Sequence, residues 1–66
     1  MTKQEMLKDV ERNATLLLAS VIKKDKVTAV KYRKQLLDAE ELALFEGVDG
    51  TEIDDARLAG YMKATH

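Results

Sequence analysis

The chain has 66 residues, a formal net charge of −1, 35% charged and 45% hydrophobic residues, and neither cysteine nor proline. This length allows one domain with a small core. The composition excludes disulfides and thiolate metal sites, and the single histidine is the last residue, so self-association is the remaining way to supplement the core.

The pattern is helical from the start. Thr2-Lys3-Gln4-Glu5 reads as a capping box and predicts a first helix over 3–24. Along it, Leu7, Val10, Ala14, Leu17 and Val21 recur at alternating steps of three and four, with Met6, Leu18 and Ile22 beside them. The block from Ala14 to Ile22 carries no charge. Within it Leu16, Leu17 and Leu18 point about 100° apart and together span roughly 200° of the helix. One flat partner surface cannot cover that arc, so the expectation is burial on two sides, by the chain itself and by a second copy. The block also falls well short of the ~20 apolar residues that cross a bilayer, and residues 1–13 lack the apolar run of a secretory signal. A cytoplasmic protein is expected.

Lys23, Lys24 and Lys26 suit a helix end, and Asp25 can cap the next helix. The expectation is an antiparallel helical hairpin, preferred to one rod from 3 to 46, because two arms of similar length cover each other's apolar faces. The second arm, 26–46, carries Val30, Leu37 and Leu44 at seven-residue spacing, with Leu36, Ala39 and Ala43 nearby, and Gly47 follows as a natural stop. Its charges oppose the helix dipole: Lys31, Arg33 and Lys34 lie in the first half, Asp38, Glu40, Glu41 and Glu46 in the second. Antiparallel pairing with a second copy about Leu37 would give those charges a use. It sets Val30 against Leu44, Arg33 against Glu41 and Lys34 against Glu40. Leu17, Val21, Val30, Arg33, Leu37, Glu41 and Leu44 are therefore the candidate self-association residues of a homodimeric bundle.

Val48-Asp49-Gly50 reads as a turn, and Thr51-Glu52-Ile53-Asp54 as a second cap, leading a third helix over 52–63. Ile53, Ala56, Leu58, Tyr61 and Met62 give that helix a loose apolar side, and Gly60 in its middle costs about 1 kcal/mol relative to alanine. A segment that docks late, frays, or is ordered by a partner is expected. The fold class is all-α, a single small helical domain: a hairpin plus a short C-terminal helix, dimerising into a helical bundle.

From Lys23 to Lys34 the only acid is Asp25, while every charged residue from Asp38 to Asp55 is acidic. The basic arm, Lys23, Lys24, Lys26, Lys31, Arg33 and Lys34, could neutralise a phosphate backbone, although no recognition helix or aromatic platform accompanies it. The acidic turn, Glu46, Asp49, Glu52, Asp54 and Asp55, does not fit a calcium loop. It suits helix-capping acid or a contact for a basic partner. Ser20 has no histidine near it, and Glu40-Glu41 has no evident pocket, so no catalytic residue, metal or cofactor is assigned.

Thr2-Lys3 with Leu7, Val21-Ile22, Glu41-Leu42-Ala43-Leu44-Phe45, and Arg57-Leu58-Ala59 followed by Met62-Lys63 occur in the same order as similar fragments of the Hha/YmoA family. Those are small helical proteins that modulate gene silencing by binding a nucleoid-associated partner. The resemblance implies a helical regulatory binding protein. Extra residues before Glu41 and before Arg57 depart from the family's spacing, and no residue role is carried over. The functional expectation is a non-enzymatic, homodimeric regulator or inhibitor of the kind phages and mobile elements carry, which covers a surface of another protein with the acidic turn and last helix. The alternatives are a nucleic-acid-associated module using the basic arm and a structural subunit that assembles with itself.

Overall fold

A computed structural model describes all residues, 1–66, and contains three helices: α1 (Lys3–Ile22), α2 (Lys26–Phe45) and α3 (Gly50–Ala64). Each boundary has a local cause. At the start of α1 the Glu5 backbone N–H donates to the Thr2 hydroxyl oxygen at 3.2 Å, and the Thr2 N–H donates to the Glu5 carboxylate at 3.3 Å, completing the expected capping box.

The end of α1 comes at Ile22, two residues before the expected stop, because Lys24 adopts a left-handed backbone with φ 60°. The Asp25 N–H then donates to Ser20 O at 2.9 Å and the Lys24 N–H to Val21 O at 3.0 Å, the bond pair of a Schellman motif. Asp25 closes one helix and opens the next. Its carboxylate accepts from the Thr28 N–H at 3.2 Å and from the Thr28 hydroxyl at 2.6 Å.

The same motif ends α2, with Gly47 at φ 87° in the left-handed position and Val48 N–H donating to Ala43 O at 2.9 Å. Val48 and Ala43 are both buried, which supplies the apolar contact that accompanies such an ending. The third helix starts at Gly50, before the expected residue 52. Asp49, a stronger cap than Thr51, takes the role and accepts from the Thr51 N–H at 2.8 Å.

Helix α1 is the central element. It packs against α2 in an antiparallel hairpin and to a similar extent against α3, whereas α2 and α3 touch each other at few places. The contacts of α3 advance along α1 in the same direction: Lys3 pairs with Glu52 at 2.8 Å, and Glu11 pairs with Lys63 at 2.8 Å. Leu16, Leu17 and Leu18 are half-buried, and of the three Leu17 packs at the edge of the core.

The core consists of Met6, Val10, Ala14, Leu36, Ala43, Val48 and Ile53, with Leu7, Leu17, Ala39, Ala56 and Tyr61 packed at its edge. Val10 is the largest side chain fully enclosed. The polar groups drawn inside are satisfied: the Asn13 amide donates to Asp9 O at 2.9 Å, and the Ser20 hydroxyl to Leu16 O at 2.8 Å.

Gly60 corrects the reading of α3 as a loosely attached segment weakened by its glycine. A Cβ at this position would stand 2.7 Å from the Ala14 Cβ and would collide with the Glu11 carbonyl oxygen. The absence of a side chain is what lets α1 and α3 approach so closely. Beside this crossing the Thr15 hydroxyl lies 2.9 Å from both the Glu11 and Gly60 carbonyl oxygens, donating its one proton to either. The backbones are joined where they are nearest.

Candidate association surfaces

The small core leaves eleven large apolar side chains exposed, and α2 carries most of them. Leu36 and Ala43 turn inward, while Val30, Leu37 and Leu44 are 69%, 48% and 57% exposed. At 100° per residue the line of Val30, Leu37 and Leu44 lies about 100° around the helix from the line of Leu36 and Ala43. Val27 and Phe45, at 83% and 87%, are the most exposed apolar residues of the chain and belong to the outer set. They are separated by about five full turns, so they lie on one line along the helix. Helix α2 therefore has two apolar faces, one of them without a partner in the chain.

Among the candidate self-association residues, Val21, Val30, Arg33, Leu37, Glu41 and Leu44 are exposed, while Leu17 is half-buried against the core. The structure does not bring these residues onto one surface, since Val21 lies at the tip of the hairpin. There Val21, Lys24, Asp25, Lys26 and Ala29 line a shallow dent. Val21 and Ile22 are about half exposed at this tip, and the α3 contacts at Gly60 and Lys63 fall on Glu11 to Thr15 of α1.

Lys23, Lys24, Lys26, Lys31, Arg33 and Lys34 are all exposed, and none forms an ion pair within the chain. Within this arm the Lys31 ammonium lies 5.6 Å from the centre of the Tyr32 ring.

The acidic turn is treated differently by the fold. Asp49 caps α3, Glu52 pairs with Lys3, and Asp54 pairs with Arg57, which leaves Glu46 and Asp55 exposed without an ion-pair partner. Three of the five candidate residues thus have an internal structural role, and the surface offered to a basic partner shrinks to two carboxylates.

Half of the Arg57 contact is legible in the sequence, since Asp54 lies three residues before it, while Glu40 lies on another helix. Its guanidinium meets Asp54 on its own helix and Glu40 of α2 at 3.3 Å, with the Glu40 side chain only 16% exposed. The hydrogen bond to Asp54 and then the charge of Glu40 raise the Arg57 pKa above its ordinary range, against the opposing effect of desolvation. This pairing ties α3 to α2 where packing between them is sparse.

Two other groups are shifted. The Glu5 carboxyl is lowered, first by the bond from the Thr2 backbone and then by the Thr2 hydroxyl, and the Asp25 carboxyl is lowered by the Thr28 hydroxyl and backbone. Both are helix-cap effects. A second dent, lined by Lys8, Asp9, Glu11, Arg12 and Lys63, is wholly charged, with Arg12 paired to Asp9 and Lys63 to Glu11. No group of three or more His, Cys, Asp or Glu side chains is gathered for a metal ion. No helix is long and apolar enough to cross a membrane.

Comparison of the chain with protein-family models, with curated proteins and with solved structures found no match. The class defined by fold and surface is a three-helix, all-α chain with an unpartnered apolar helix face.

Proposed function

We propose that this chain is a non-enzymatic protein-binding module that forms a homodimer and acts as a regulator or inhibitor by covering a surface of a target protein. The observation that carries the reading is the imbalance between core and surface. Seven apolar residues are buried, and eleven large ones are exposed, five of them (Val27, Val30, Leu37, Leu44 and Phe45) along the outer face of α2. Isolated exposed apolar residues are ordinary, but several gathered on one side of a helix mark an interaction surface.

The target-facing surface in this reading is the acidic end with α3, where Leu58 and Met62 are 57% and 54% exposed and Asp55 precedes Leu58 by about one turn. The test is recovery of tagged chain from source cells, with and without nuclease, for wild type and for Asp55→Lys combined with Leu58→Ser. A stoichiometric protein that survives nuclease and is lost with the double variant supports the reading. Equal recovery with the variant removes this surface from consideration.

A second reading is favoured by the unpaired basic arm, whose six cations face solvent. A nucleic-acid ligand would give binding that weakens steeply with salt, and removing Lys31, Arg33 and Lys34 would flatten that slope.

A further inference from the structure

We propose that the outer face of α2 is covered by the α2 of a second copy, running antiparallel about a two-fold axis at Leu37. This rests on the homodimer reading above and adds its surface, direction and register. Three observations converge. The exposed stripe is self-complementary under reversal, since a two-fold axis at Leu37 sets Val30 against Leu44 of the other copy. Leu37 then meets its own equivalent at the centre.

Val27 and Phe45 lie on the same line of the helix and hence on the same side of this seam. A two-fold axis preserves that side, so each Phe45 ring falls over the Val27 region of the other copy. The two most exposed apolar residues in the chain thereby cover each other.

Charge fixes the direction. The first half of α2 carries unpaired cations and the second half unpaired carboxylates, so reversal brings opposite charges together while a parallel pair stacks like on like. Lys34 and Glu41 both lie within the apolar stripe and meet across the axis. Glu40, the partner suggested by spacing alone, is already held by Arg57 and largely covered. The same arrangement carries the basic hairpin tip, with Lys23 and Lys24, toward the Glu46 and Asp49 end of the other copy. The charge order that opposes the α2 dipole is thus the order an antiparallel seam needs.

The experiment is sedimentation equilibrium of the wild type, of Lys34→Glu, of Glu41→Lys, and of the two variants mixed in equal amounts. Both positions are exposed, so circular dichroism of each variant should match wild type. In the antiparallel dimer each variant places like charges together twice, and self-association should weaken on the order of tenfold. In the mixture every pair is opposite again, and association should return to the wild-type level as a heterodimer.

If the wild type dimerises but each single variant does so equally well, the antiparallel register is overturned while the homodimer reading stands. A parallel pair would behave in that way, because it exchanges one like pair for another. A wild type that remains monomeric at every concentration overturns both.

Discussion

Lys24 holds a left-handed backbone at the turn between α1 and α2, where a side chain costs about 1–2 kcal/mol relative to a glycine. Gly47 occupies the equivalent place at the end of α2 without that cost. Lys24→Gly should therefore raise the stability by about 0.5–1 kcal/mol, the glycine's greater freedom in the unfolded chain offsetting part of the relief. Urea unfolding checks it, and an unchanged or lower midpoint would show that Lys24 is held by something other than the turn. Asp25, next in sequence, makes the opposite kind of prediction. Its carboxyl is lowered by the Thr28 hydroxyl and backbone, as Glu5 is by Thr2, so the folded state binds these protons more weakly than the unfolded chain. The stabilisation is complete above the unfolded values and is lost as pH falls through the folded ones. The melting temperature should fall on acidification below about pH 4.5, and Asp25→Asn combined with Glu5→Gln should make that fall shallower.

Between elements, the decisive contact is the crossing of α1 and α3 at Gly60. On an exposed helix, glycine to alanine gains about 1 kcal/mol. Here the added methyl meets the Glu11 carbonyl and the Ala14 side chain, and neither can swing aside as a long side chain would. Gly60→Ala should instead lose about 1–3 kcal/mol, the usual range for overpacking, and should loosen the Thr15 to Gly60 bond. Hydrogen exchange in α3 that is faster than in α1 and α2 would locate the damage; a stabilised variant would mean that the helices separate without cost.

What could be read from the chain beforehand divides along the same line. The capping box of α1, the hairpin turn and the inward positions Val10 and Ala14 rest on local spacing, and local spacing is present in the sequence. The Gly60 crossing and the Arg57 to Glu40 pair are not, because they depend on how far apart two helix axes lie. The outer apolar stripe of α2 was visible as a seven-residue repeat. Its exposure was not, since periodicity marks an apolar face without saying what lies against it. The acidic turn was visible as a cluster of charge, and Asp54 with Arg57 is an i,i+3 pair, but spacing could not reveal that Lys3, distant in sequence, would claim Glu52.

At the scale of the whole molecule, the question is how a chain whose largest fully enclosed side chain is Val10 holds three helices together. A core of this size places it among small domains for which association is a common supplement. If a second copy binds the folded chain and not the unfolded one, stability must grow with concentration by mass action, about 2.7 kcal/mol at a hundredfold excess over the dissociation constant. The melting temperature of the wild type should then rise as concentration rises. Phe45→Ser separates this from any effect within one chain. The ring is 87% exposed, so a monomer loses little by its removal and the variant should match wild type in dilute solution. In concentrated solution the variant should melt lower, because the ring's apolar area is then missing from the seam. Calorimetry across a hundredfold range of concentration would show two curves that start together and separate. Curves that are flat and coincident would mean that the three helices are stable alone and that Phe45 has no second copy to cover.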